Sequence, residues 1–404
     1  MNTYREIFAV GQFRTLFAAQ AASVMGKTME SLALSTLVYA HTGSPFLAAL
    51  AYLAGFLPQA VGALTLGGLA DRLPPRALLV SWDLARAVAV AVLALGVLPV
   101  WGMLALVMTC GLFDAVASGA RQALLADLLP GNGYVLGRSA LNIAVGATQI
   151  AGFALGGTLL AVAGPYAALW SAAALGALVA LTQRLGLRAR PPRVSGRQTW
   201  RQVWAVNGEL LGDRRLRGLL LVQWVPNGLV VGAEALYVPY AGGSAGTAGA
   251  LFIAAAGGML AGDLTVGRWT TPEQRVRLAV PLFTLMAVPY LFFALSPGAW
   301  VATALVAVAS FGFAGHLGTQ ERYVAAVPER VRGQALGLAG SGTMAGQALA
   351  ASGTGTLAEF VPVSAAMALA GVASLVATAC LYSALTRPAR ERAASRPGEL
   401  PARP

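Results

Sequence analysis

Charged residues are scarce in this sequence, since Asp, Glu, Lys and Arg make up only 11% of its 404 residues. Hydrophobic residues make up 57%, and the mean hydropathy is +0.67. A typical soluble domain carries about 25% charged residues, so the composition excludes a water-soluble globular protein. Apolar runs of about 20 residues recur along the whole chain, and this length suits a membrane-spanning helix. We therefore predict an all-α integral membrane protein.

Cysteine and histidine are equally rare, with two residues of each. Cys110 and Cys380 both fall inside apolar runs and lack the spacing of metal ligands, so we expect neither a disulfide nor a metal. The chain contains no nucleotide-binding loop and no nucleophile with an evident base. These absences argue against an enzyme, against a bound cofactor and against a self-contained ATP-driven pump.

The apolar runs predict twelve transmembrane helices, six on each side of a basic central stretch. The expected domains are an N-terminal six-helix bundle (1–185), a basic linker (186–216), a C-terminal six-helix bundle (217–386) and a disordered tail (387–404). In the linker, apolar residues recur at helical spacing, which predicts a helix lying in the membrane interface or packed beneath the bundle. The predicted spans are 14–40, 45–69, 77–98, 100–121, 137–163, 166–185, 217–240, 246–267, 277–296, 299–320, 333–357 and 362–385.

The distribution of arginine predicts the orientation of these helices. One set of loops and both termini hold almost all of the arginine, including the stretch from Arg121 to Arg138, while the alternate loops contain neither Lys nor Arg. Basic loops remain cytoplasmic, so we expect both termini in the cytoplasm of a cell whose inner (plasma) membrane holds the protein. The net charge of +12 then indicates contact with anionic lipid head groups and not with nucleic acid.

The two halves carry matching residues at one constant offset. Arg72 matches Arg268, Gly137 matches Gly333, and each pair occupies the same topological place in its half. Parallel repeats of six helices are typical of facilitator-type transporters. The pattern therefore predicts two pseudo-symmetric bundles.

The sequence GGLADRLPPR at Gly67–Arg76 resembles the signature turn between helices two and three of the major facilitator superfamily. Three pieces are similar to its drug:proton antiporter branch, which includes macrolide and siderophore exporters: HTGSP at His41–Pro45, Asp83 with Arg86, and the segment Ala120–Pro130. The resemblance implies the major facilitator fold, and it implies that Asp71 belongs to a cytoplasmic gate. The expected gate residues are Gly67, Asp71, Arg72, Arg76, Arg121 and Arg138.

Polar side chains recur every three or four residues in helices one, four, seven and ten, which surround the cavity of such a transporter. A charge at the bilayer centre costs about 2.5–3.5 kcal/mol on insertion scales, so these side chains usually face protein or water and have a function. The expected proton-coupling and substrate residues are Lys27, Glu30, Asp114, Gln223, Asn227, Glu234 and His316.

Alternatives remain open for several of these residues. Lys27 and Glu30 are one helical turn apart and can pair, so they form either a proton site or a structural ion pair. Asp114 has the same two interpretations, and Glu30 and Asp114 are the preferred proton sites. Glu234 faces the cavity or reaches toward water, and His316 either titrates or packs.

These features predict a monomeric secondary transporter that exports a small amphiphilic molecule, such as a drug, antibiotic or secondary metabolite, in exchange for protons. The prediction of efflux depends on the family resemblance, whereas the predictions of helix count and polar cavity depend on the residues themselves. Proton-coupled uptake of a nutrient is one alternative. A membrane scaffold or sensor that has lost transport is another, because the second half has a degenerate signature turn.

Overall fold

The computed structural model describes residues 3–66, 69, 73–130, 132–192, 200–328 and 331–383, and all regular structure there is helical. Short 3-10 segments join α12 to α13 and α13 to α14. The helices are α1 (Tyr4–Ala9), α2 (Gly11–Thr42), α3 (Pro45–Tyr52), α4 (Phe56–Thr65), α5 (Pro75–Ala94), α6 (Val100–Leu128), α7 (Asn132–Gly186), α8 (Trp200–Gly212), α9 (Arg214–Glu234), α10 (Tyr237–Tyr240), α11 (Ala245–Trp269), α12 (Pro272–Leu291), α13 (Ala299–Phe311), α14 (Gly315–Ala326), α15 (Arg332–Leu357) and α16 (Val363–Cys380).

Among the described residues, eight helices are long and apolar enough to cross a bilayer, and the bent pair α3 and α4 makes nine if it forms one span. The break at Gly164, whose φ is 81°, divides the 55-residue α7 into two spans. Helices α2 and α15 have 32 and 26 residues, which is also long enough to span a membrane. This arrangement is consistent with the twelve predicted helices.

Local chemistry explains how the chain turns between the first two spans. Gly43 ends α2 in the left-handed conformation, with a φ of 64°, which glycine adopts without steric cost. The Ser44 hydroxyl accepts a hydrogen bond from the Leu47 amide, and Pro45 occupies the first turn of α3. The HTGSP sequence is therefore a helix stop followed by a helix start.

Two predicted helix ends were wrong. The stretch that begins at Arg121 was expected to be a loop, but α6 continues to Leu128 because Leu124 and Leu125 are buried in the first bundle. Likewise, α14 continues to Ala326, so Arg322 lies in a helix and is buried. Both arginines lie within helices rather than in loops.

The linker helix α8 packs beneath the second bundle. Leu210 is buried against α9, α14 and α15, and the Asn207 side-chain oxygen accepts a hydrogen bond from the Gln334 amide at 3.0 Å. Trp204, on another face of α8, is 56% exposed. These contacts fit a helix packed under the bundle, and its position relative to the membrane interface stays a prediction.

The two halves meet at the end of the molecule where the loops lack arginine. A carboxylate oxygen of Glu359, which follows α15, accepts hydrogen bonds from the Ser44 hydroxyl at 2.5 Å and the Phe46 amide at 3.0 Å. Gly157 on α7 faces Gly249 on α11 so closely that an added Cβ would lie 3.1 Å from the opposite Cα. These contacts close the Arg-free end.

Aromatic side chains extend the same interface toward the centre. Phe252 of α11 stacks on Phe153 of α7, with ring centroids 4.8 Å apart. Its other neighbour in the first half is Tyr52 of α3, at 4.9 Å. Three helices from two halves therefore share one aromatic cluster.

Candidate coupling and substrate site

Four charged side chains form one network in the middle of the first bundle. The Lys27 ammonium donates to Asp114 at 2.8 Å. The Arg86 guanidinium donates to Asp114 at 2.9 Å and to Glu30 at 2.6 Å. Two cations and two carboxylates are present, so the formal charges cancel.

The network lies near the middle of the helices that carry it. Lys27 and Asp114 are near the midpoints of α2 and α6, and Arg86 is near the middle of α5. The indole N–H of Trp82, one turn before Arg86, donates to the second Asp114 oxygen at 2.9 Å. Because both Asp114 oxygens accept hydrogen bonds, this buried carboxylate is stabilised in its charged form.

The space around the network is too small for an organic substrate. Glu30 and Asp114 are each 4% exposed, and the cavity beside them, between α2, α5 and α7, measures about 20 Å³. That volume holds about one water molecule. The network can therefore bind ions or protons and fix helix positions, but the substrate must bind elsewhere.

A second pair of opposite charges, one carboxylate and one guanidinium, lies about one to two helical turns nearer the Arg-rich end. Asp83 of α5 and Arg121 of α6 approach to 4.0 Å, which is beyond hydrogen-bond distance. One oxygen of Asp83 and one terminal nitrogen of Arg121 are buried without a hydrogen-bond partner. This pair is consequently looser than the central network.

Glu234 has surroundings of a different kind. It ends α9, is only 8% exposed, and its side chain forms no hydrogen bond or ion pair with any other described residue. Tyr52, Tyr237 and Tyr290 lie within electrostatic range of its carboxyl group, and the last two share a 2.7 Å hydrogen bond between their hydroxyls. Glu234 is thus a buried acid without a cation, beside the interface of the two halves.

The other predicted cavity residues of the second half are dispersed. Gln223 donates to the Leu219 carbonyl of its own helix at 3.3 Å, and the buried Asn227 has an unpartnered side-chain oxygen. His316 Nδ1 lies 2.8 Å from the Phe313 carbonyl oxygen and 3.8 Å from Asp263 of α11. Helix α9 therefore carries one polar position, and α11 and α14 share a second one.

Three of the predicted gate residues, Gly67, Asp71 and Arg72, lie outside the described residues. Arg76 donates to the Arg184 carbonyl oxygen at 2.6 Å, which places its charge at the end of α7, where a helix attracts cations. Arg138 donates to the Tyr134 hydroxyl at 3.4 Å. The gate role of these arginines stays a prediction.

The polar stripes predicted to line the cavity do not include Arg86 and Trp82, and Arg86 entered only through the family resemblance. The stripes lie on helices one, four, seven and ten, whereas both residues belong to helix three. A charged residue within an apolar run is itself a signal of function, and Arg86 meets that criterion. The pairing also differs from the expected one, because Lys27 binds Asp114 while Glu30 binds Arg86.

Comparison with known families agrees with this architecture. The family model described as Major Facilitator Superfamily matches residues 16–323, which is most of the chain. This chain belongs to the Major Facilitator Superfamily. No match to its sequence is found among curated proteins.

Solved structures of transporters share the superfamily fold at low sequence identity. A bacterial homologue of the human lysosomal transporter Spinster, inward-facing and unoccupied, is 15% identical with a TM-score of 0.69, covering 95% of this chain and 98% of that one. A mutant of the nucleoside transporter NupG is 14% identical with a TM-score of 0.68, covering 92% and 99%. A POT family transporter with a bound peptide conjugate is 12% identical with a TM-score of 0.69, covering 93% and 96%. Such distant similarity shows the fold of a transporter and leaves its substrate open.

Proposed function

We propose that this protein is a proton-driven exporter of a small amphiphilic organic molecule, working by alternating access with its Arg-rich end in the cytoplasm. Resemblance to the drug:proton antiporter branch supports the direction. Contacts between the halves at the Arg-free end fit a state that is closed to the outside. Such closure is one of the two states that alternating access requires.

The observation that carries the proposal is the unpaired Glu234. A buried carboxylate without a cation or hydrogen-bond donor is costly in its charged form, so binding and release of a proton change its energy strongly. By contrast, Glu30 and Asp114 are already neutralised by Arg86 and Lys27. We therefore place the coupling proton first on Glu234, with Glu30 and Asp114 as the alternatives.

The position of Glu234 supports a link between protonation and movement. Tyr52, one of the neighbours within range of its charge, belongs to the first half, while α9 belongs to the second. A proton arriving at Glu234 removes a charge from this interface. The closed arrangement then becomes more favourable, and loss of the proton favours separation of the halves.

The test compares cells that express wild type, Glu234→Gln or Glu209→Gln, loaded with fluorescent and antibiotic amphiphiles, with and without a protonophore. Glu209 is exposed on α8 and is the matched control. We expect cells with wild type or Glu209→Gln to retain less of the compounds. This difference should disappear with the protonophore, and cells with Glu234→Gln should not show it. Normal export by Glu234→Gln would move the proton to Glu30 or Asp114.

Proteoliposomes containing a pH-sensitive dye separate the remaining functions. An exporter releases protons on the side from which it takes the substrate. Nutrient uptake gives substrate and proton movement in the same direction. No substrate-dependent proton movement with any compound, together with unchanged retention in cells, would favour a scaffold or sensor.

A further inference from the structure

A polar cleft opens between α2, α6 and α7, away from the central charge network. Its volume is about 180 Å³, equal to about six waters, so it holds a small organic molecule. Aliphatic side chains of the same three helices form the rest of its wall. The polar lining residues are Gln20, Ser118, Arg121, Gln122, Tyr134 and Arg138.

The two arginines that line the cleft are only weakly paired within the protein. Arg121 approaches Asp83 no closer than 4.0 Å, through a terminal nitrogen that is buried and has no hydrogen-bond partner. Arg138 donates one long bond, at 3.4 Å, to Tyr134. A guanidinium carries five N–H donors in a planar fork that fits a carboxylate or phosphate. Among the described residues, none that line the cleft is acidic.

The depth of the cleft bears on what it binds. Arg121 is seven residues before the end of α6, and Arg138 is six residues after the start of α7, which places both about 10 Å inside the helix ends. Lipid phosphates lie near the helix ends, whereas this cleft is deeper and has an aliphatic wall. An anion with an apolar body matches both parts of the lining.

We propose that this cleft is a subsite for a soluble amphiphilic anion, with Arg121 and Arg138 binding its carboxylate or phosphate and the aliphatic wall holding its apolar part. This assignment rests on the proposed transport function and narrows its substrate class. It also gives Arg121 and Arg138 a role in addition to the predicted one in the cytoplasmic gate.

The test measures equilibrium binding to the full chain in phosphatidylcholine nanodiscs with three probes that share one ring system: 2-naphthoate, 2-naphthylmethylammonium and 2-naphthalenemethanol. The expected order has naphthoate at least about tenfold tighter than the cation and the alcohol. Arg121→Gln and Arg138→Gln should each weaken naphthoate about tenfold, as expected for loss of a charge-assisted hydrogen bond. Arg277→Gln, an exposed arginine on α12, should bind like wild type.

Arg138→Gln loses only one long hydrogen bond, so it keeps the assay informative if Arg121→Gln does not fold. Equal binding of the three probes, or naphthoate binding unchanged in the folded variants, would refute the subsite. Nanodiscs doped with phosphatidylglycerol form a second arm. The proposal would be overturned if that lipid competes with naphthoate in wild type and in the Arg277→Gln control, but not in the double variant Arg121→Gln with Arg138→Gln. Such a result would assign the cleft to a lipid head group.

These binding experiments use no proton gradient, so they fail independently of the transport assay. Protonophore-sensitive export together with no preference for the anionic probe would refute an anionic substrate class and support the exporter. Selective naphthoate binding without any proton-linked transport would keep the subsite and remove the exporter.

Discussion

Replacement of Arg86 by leucine should destabilise the first bundle more than any exposed substitution. Arg86 is the only cation paired with Glu30 among the described residues, and it shares Asp114 with Lys27. Opposite charges about 4 Å apart attract by ~4 kcal/mol at an effective dielectric constant of about 20. Loss of one partner from a buried pair costs about 3–5 kcal/mol, so we expect Arg86→Leu to lose that much unfolding free energy.

The double variant Arg86→Leu with Glu30→Leu separates charge from packing. It removes one cation and one carboxylate, which leaves the neutral pair of Lys27 and Asp114. Apolar replacement of a buried pair is often close to neutral, so the double variant should recover most of the stability that the single variant loses. A purely steric role for Arg86 predicts no recovery.

The assay is reversible unfolding of the purified protein in mixed micelles with increasing SDS, with Arg277→Leu as the control for removal of an exposed arginine. A single variant within about 1 kcal/mol of wild type, or a double variant no better than the single, would refute the reasoning.

Two further predictions concern helix contacts. Gly111→Ala should destabilise the first bundle by about 1–3 kcal/mol, because the new Cβ would lie 2.4 Å from the Gly55 carbonyl oxygen. Gly353→Ala has open space around it and should unfold no earlier than wild type in the same SDS titration, because alanine favours a helix over glycine. Glu359→Ala should loosen the Arg-free end, since it removes two hydrogen bonds between the halves. Spin labels at exposed positions on either side of that interface should then show a population at longer distance. Unchanged distances would contradict a role for Glu359 in holding the halves together.

Much of the architecture follows from the sequence because a bilayer leaves few choices. Apolar runs must be helices, and the alternation of arginine-rich with arginine-free loops predicts which end of each helix faces the cytoplasm. The helix stop at Gly43 and the start at Pro45 are likewise readable from local chemistry. Helix ends were less predictable, since α6 continues past Arg121 only because Leu124 and Leu125 find a buried surface.

The candidate site could be predicted only in part. Lys27, Glu30 and Asp114 stand out as charges in apolar segments, and the structure brings all three into one network. Their partners depend on how three helices far apart in the sequence pack together. Glu30 therefore pairs with Arg86, whereas sequence spacing alone favoured a pair of Glu30 with Lys27. Helical spacing records neighbours along one helix and carries no information about neighbours across the bundle.

The sequence by itself determined that this chain is an all-helical membrane protein, and it predicted two six-helix halves, because hydropathy and charge act along the chain. Only the tertiary structure decided which charges neutralise one another, that Glu234 is buried without a cation, and that Arg121 and Arg138 share a cleft. Those properties arise from distances between helices, and packing of the whole bundle sets such distances.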